Sequence, residues 1–141
     1  MGKMMKILIG AVLVLVATGA GAFFFLGQKA EGSEEKEQPT AEELVAMSID
    51  TDVITTNLAS PNFGIVQFNI LLDSEKTKEE AEKRTPEVRA AIISTVASFT
   101  KEELVGPKGI TTLEEQLKGK LAEIIQTGNV ERVLVTEFKV Q

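Results

Sequence analysis

The chain has 141 residues, 15 basic and 21 acidic side chains, a formal net charge of −6, and no Cys, His, Trp or Tyr. Without Cys there are no disulfides, thiol nucleophiles or cysteine-held clusters, and without His there is no Ser–His or Cys–His catalysis and no ordinary zinc site. The length suits one ordinary domain, and a net acidic chain is poorly built to neutralise nucleic-acid phosphates.

Charge divides the chain into three blocks. Residues 1–26 carry only Lys3 and Lys6; residues 27–50 have a net charge of −5 and residues 51–141 of −3. Ile7 to Leu26 is twenty residues without a charge. As a helix rising about 1.5 Å per residue, such a run spans about 30 Å, the thickness of a bilayer's hydrocarbon core. We expect a transmembrane helix over 7–26. Basic flanks stay on the cytoplasmic side, so residues 1–6 are expected inside and everything after the span outside. Ala20-Gly21-Ala22 resembles a signal-peptidase site, but Phe23-Phe24-Phe25-Leu26 continues the apolar run beyond it, which favours a retained anchor.

Residues 27–50 read as an acidic linker. The stretch 27–39 is polar and has no apolar period, so it is expected extended. Thr40-Ala-Glu-Glu43 has the form of a capping box and predicts a short helix near 41–47.

Residues 51–141 carry the folded, extracytoplasmic domain. Asp52 to Leu58 is rich in β-branched residues and predicts a strand. Ala59-Ser60-Pro61-Asn62 predicts a turn, and Phe63 to Leu72 a second strand with Val66, Phe68, Ile70 and Leu72 on one face, so the two form an antiparallel hairpin. Thr77-Lys-Glu-Glu80 reads as a second capping box, and Thr85-Pro86 starts an amphipathic helix with Val88, Ile92, Val96 and Phe99 inward. Thr100-Lys-Glu-Glu103 caps a short helix, Gly106-Pro107-Lys108-Gly109 reads as an interhelix turn, and Thr111 starts a helix lined by Leu113, Leu117, Leu121, Ile124 and Ile125. On its other side Glu114 and Lys118 are spaced to pair. Asn129 to Val140 predicts a last strand, with Val130, Leu134, Phe138 and Val140 on one face and Val133 and Val135 on the other. The fold class is therefore α+β: a small antiparallel or mixed sheet with helices packed on one face.

No constellation points to catalysis. The acidic pairs Glu42/Glu43, Glu79/Glu80, Glu102/Glu103 and Glu114/Glu115 follow a Thr at capping distance, where carboxylates complement a helix dipole. The Gly-Pro-Lys-Gly segment lacks phosphate-loop spacing, and no Asp/Asn pattern makes a calcium loop. No catalytic, cofactor or metal residue is assigned. Arg84 and Arg89, flanking Pro86, read first as a solvated helix face with local ion pairs, with contact to an acidic partner surface as the alternative.

In the order of its features the chain resembles the flagellar basal body-associated FliL family. The resemblance is carried by the anchor, Ile54-Thr-Thr-Asn57-Leu58, Val66-Gln67-Phe68, Arg84-Thr-Pro86-Glu-Val88-Arg89-Ala-Ala-Ile92-Ile93, the Gly109 to Leu121 helix and the terminal Val133-Leu-Val-Thr136-Glu137-Phe138-Lys-Val140-Gln141. Ala90 departs from it, since the family often places Asp there. The resemblance implies a non-enzymatic, single-pass protein of the bacterial cytoplasmic (inner) membrane whose outer domain is similar to stomatin-like (SPFH) domains. It implies homo-oligomerisation side by side in a ring and partnership with the flagellar stator units and other basal-body components in swimming or swarming, without cofactor, nucleic acid or small-molecule substrate. Arg84, Glu87, Arg89, Glu137 and Lys139 are the candidate partner or oligomer surface. The alternative reading is a generic anchored module that binds a ligand or the cell wall.

Overall fold

The computed structural model describes residues 37–141. Helix α1 (Ala41–Ala46) precedes strands β1 (Ser48–Asp50), β2 (Ile54–Asn57) and β3 (Phe63–Leu72). Helices α2 (Glu75–Lys83), α3 (Thr85–Ala97), α4 (Lys101–Leu104) and α5 (Pro107–Ile124) follow, and β4 (Val130–Val140) comes last. The expected cytoplasmic segment 1–6, the span 7–26 and the first part of the linker lie outside the described residues. Among the described residues no helix is long and apolar enough to cross a membrane.

β3 is the centre of an antiparallel sheet. β2 folds against its first half, with Ile54 opposite Val66, as the expected hairpin requires. β1 pairs with its second half, with Ile49 opposite Ile70, so β1 and β2 lie end to end along one edge. Thr51 bridges the gap between them: its N–H donates to the Phe68 carbonyl at 2.9 Å and its hydroxyl accepts from the Phe68 N–H at 3.0 Å. The strand expected over Asp52–Leu58 therefore shortens to Ile54–Asn57. β4 covers the other edge of β3 from Leu72 to Gly64.

The alternation of β3 decides where the helices go. Val66, Phe68, Ile70 and Leu72 are buried in one cluster with Val88, Ile92 and Val96 of α3 and Leu113, Leu117 and Leu121 of α5. Each such side chain taken out of water contributes roughly 1.5–3 kcal/mol. The result is the two-layer α+β arrangement expected from the order of elements.

Three local expectations are corrected. Thr77 does not cap a helix, because Ser74 already does: the Ser74 hydroxyl accepts from the Thr77 N–H at 3.2 Å and α2 starts at Glu75. Thr77 is buried, and its hydroxyl donates to Asp73 at 2.7 Å. β4 does not keep one alternation along its length. Register shifts opposite Gln67/Phe68 and Leu71/Leu72 switch its faces, so Val133 and Val135 lie opposite Ile70 and Phe68 over the core, while Leu134 sits opposite Asn69 and is exposed. An extra residue at each bulge breaks the period of two.

The third correction concerns α5, which starts at Pro107 rather than Thr111, so Lys108 and Gly109 belong to its first turn. Gly106, at φ 88°, makes the reversal from α4 in a backbone region that suits glycine. Gly109 packs directly on the backbone of Glu103 and Leu104, leaving no room for a Cβ, whereas Gly119 in the same helix faces open space. Gly109→Ala is expected to lower stability by about 1–3 kcal/mol through overpacking, and Gly119→Ala to raise it by roughly 0.5–1 kcal/mol through helix propensity. Urea unfolding of the two variants checks this pair of opposite signs; an unaffected Gly109→Ala protein would disprove the close approach of α4 and α5.

Candidate functional site

Five carboxylates, those of Glu43, Asp73, Glu80, Glu103 and Glu114, accept from main-chain N–H groups. Glu43 and Glu103 reach back to the N–H groups of Thr40 and Thr100, each at 2.8 Å, completing the two capping boxes. Glu80 accepts from the Thr127 hydroxyl at 2.6 Å, the Thr127 N–H at 2.8 Å, the Gln126 N–H at 3.1 Å and Arg84 Nε at 2.9 Å. The hydroxyl and N–H of Thr127 do most to hold its pKa down, to about 2. Asp73 accepts from Thr77 and from both nitrogens of Asn129, at 2.8 and 3.1 Å, and its pKa is likewise lowered, chiefly by the Thr77 hydroxyl. These two acids clamp the Gln126–Asn129 turn that leads into β4. Gly128 lies so close over Thr77 and Asp73 that a Cβ would collide with both side chains.

Glu114 and Lys118 do not pair with each other. Glu114 accepts from the Val135 N–H at 2.8 Å, and the Lys118 ammonium donates to the Glu131 carbonyl at 2.9 Å. Both partners belong to the outer edge of β4. Sequence spacing indicated an intrahelical ion pair, whereas the fold places two unmatched main-chain groups within reach, and each side chain takes one. Among the described residues no cluster of three or more acids could hold a metal ion, and no buried side-chain polar atom lacks a partner.

The sequence-derived surface residues form separate groups. Arg84 is bonded to Glu80 and, at 3.1 Å, to Glu87 at the start of α3. Those carboxylates raise the Arg84 pKa, Glu80 most. Arg89 stands 4.0 Å from Asp52, with both side chains well exposed. Lys139 binds Glu137 at 2.8 Å on β4, and that hydrogen bond raises its pKa. Among the described residues no ion pair or hydrogen bond joins the α3 group to the β4 group. A feature that sequence reasoning missed lies beside Arg89. A cleft of about 130 Å³ opens between the β1–β2 junction and helices α2 and α3, floored by Ile49, Ile54, Val88 and Ile92. Its walls come from segments far apart in the chain, so no local motif announces it.

The family model described as "Flagellar basal body-associated protein FliL" matches residues 48–141. The flagellar protein FliL of Bacillus subtilis (strain 168) is 42% identical over 125 residues, covering 89% of this chain and 88% of the relative. The flagellar protein FliL of Aquifex aeolicus (strain VF5) is 31% identical over 88 residues, 60% of this chain and 55% of the relative.

The clamp on the turn before β4 carries a pH signature. Glu80 has a folded pKa of about 2 against an ordinary 4.5, and that of Asp73 is also depressed. A depressed carboxylate pKa contributes stability that is complete above the ordinary value and disappears as pH falls through the folded one. For Glu80 the loss is expected between pH 4.5 and 2. Glu80→Gln should lower the urea midpoint at neutral pH and flatten the acid decline; identical acid profiles for the two proteins would contradict the clamp.

Proposed function

We propose a mechanical role from one premise: the chain belongs to the family of flagellar basal body-associated FliL proteins. In this reading residues 7–26 form a single membrane span with the N-terminus inside, and the domain described above stands outside, tethered by the acidic linker. Outer domains, similar to stomatin-like (SPFH) domains, assemble side by side into a ring. The ring associates with the stator units of the flagellar motor and supports their assembly, activity or retention in swimming and swarming. No bond is made or broken in this work and no cofactor takes part.

The observation that carries the reading is the near end-to-end match to the Bacillus subtilis protein. It covers more of the chain than the described domain does, and so takes in at least twenty of the first 36 residues, where the charge-free run lies. The disposition of charge adds support. Glu87, Arg89 and Lys139 are exposed, and with the half-buried Arg84 and Glu137 they are the candidate contacts with neighbours. An acidic linker is repelled by anionic lipid, which holds the domain off the bilayer and beside other extracytoplasmic parts.

Crosslinking the intact protein in native membranes and identifying what is captured tests this directly. Stator subunits and second copies of the chain are the expected catch, and deletion of the gene should impair swimming under load and swarming while leaving growth normal. Normal motility in the deletion strain, with capture of unrelated proteins alone, would overturn the proposal; a catch of wall material would favour the anchored binding module.

A further inference from the structure

The two edges of the sheet are finished differently. On β4, Glu114 and Lys118 of α5 cover outward-facing main-chain groups of Val135 and Glu131. On the opposite edge, Met47 O accepts from Leu72 N–H, Thr51 N–H donates to Phe68 O and Leu58 N–H donates to Asn62 O, so these residues turn their main chain toward β3. By the alternation of an antiparallel ladder, Asp50, Thr55 and Asn57 turn theirs away from it. Among the described residues no strand pairs with that side. An open edge of this kind is a template for another strand.

Behind this edge lies the cleft of about 130 Å³. A strand added beside β1 and β2 would point every second side chain toward the helical layer, and the cleft is where such a side chain would go. Its size suits one aliphatic group: a cavity of about 150 Å³ accommodates a benzene molecule, whereas pockets for small-molecule ligands run to roughly 300–1,000 Å³. Val53, 49% exposed on the same edge, adds apolar surface. The rim is acidic, with Asp50, Asp52 and Glu82 against the single base Arg89. The side chain of Asp52 is 91% exposed, so its pairing with Arg89 at 4.0 Å is weak and leaves its charge available.

We propose that the β1–β2 edge and the cleft behind it bind an extended peptide segment by strand addition, the segment bearing aliphatic side chains at alternate positions with lysine or arginine between them. Main-chain pairing supplies affinity in this mode, and the side-chain pocket supplies selectivity. Charge excludes the chain's own linker, since residues 27–38 have a net charge of −2 and no aliphatic alternation. The β4 edge of a second copy fits less well, because Glu137 accompanies Lys139 there and neutralises it. This binding activity goes beyond the ring-forming role and does not require it.

The test uses the intact chain in detergent micelles and a fluorescent peptide of alternating lysine and valine, read by polarisation. Saturable binding is expected. Asp52→Lys, a change at a solvated side chain, should weaken it about tenfold or more through lost charge complementarity. Thr55→Pro should also weaken it, because it removes an N–H that faces away from β3. The same peptide with glutamate for lysine, or N-methylated at alternate residues, should not bind. If Thr55→Pro unfolds the protein, the double variant Asp52→Lys with Glu82→Lys replaces it. Absence of saturable binding, or binding indifferent to these substitutions, overturns the proposal. So does loss of chain-to-chain crosslinks in Thr55→Pro without any peptide binding, which would give the edge to a second copy. Capture of stator subunits in membranes is a separate measurement, so the two readings fail independently.

Discussion

Strand β3 is hydrogen-bonded along both edges and buried on one face, and nearly every other feature of the domain answers to it. Both ladders and the core depend on the same ten residues. Val66 and Phe68 are fully buried at its middle, so the helices must lie across that face. Gly64 near its start lets α3 and the β2–β3 turn come close: a Cβ there would press on Leu58 and Val96. The chain meets these demands in a fixed order. The hairpin supplies one neighbour locally, α3 and α5 supply the cover, and the last strand returns to close the second edge.

That return is where the acidic residues matter most. The turn after α5 that leads into β4 is held against α2 and the residue before its cap by Glu80 and Asp73, through Gln126, Thr127 and Asn129. Glu114 then ties the middle of β4 to α5. One carboxylate of each acidic pair, Glu43, Glu80, Glu103 and Glu114, is thus committed to main-chain N–H groups. For Glu80 and Asp73 these hydrogen bonds favour the charged form and hold the pKa down, the opposite of the raised pKa a general acid needs.

The unequal edges give the sheet a direction. α5 blunts half of β4 with an acid and a base, a recognised way of preventing unwanted strand pairing. Among the described residues the β1–β2 edge has no such cover, and it borders a cleft whose floor is apolar and whose rim is acidic. The two edges of the sheet thus differ in how far they are covered.

Much of this was legible from residues close together in the chain. The capping boxes of Thr40 with Glu43 and Thr100 with Glu103, the Thr85-Pro86 helix start, the inward stripe of α3 and the alternation of β3 depend on spacings of one to four residues, over which local geometry is set by the backbone period. Features that depend on distant partners were not legible. Thr77 has the sequence of a cap, yet its hydroxyl serves Asp73 in a cluster completed by Asn129, some fifty residues on. Glu114 and Lys118 have the spacing of an ion pair, yet they serve a strand that comes after the helix in the chain. Val133 and Leu134 exchange faces because bulges are set by the match between two strands, not by either alone. The sequence by itself determined the elements, their buried stripes and the α+β class, because these follow from short-range periodicity. The tertiary structure alone decided which edge is open, where the cleft lies and what each carboxylate binds, because those depend on main-chain groups brought together from remote parts of the chain.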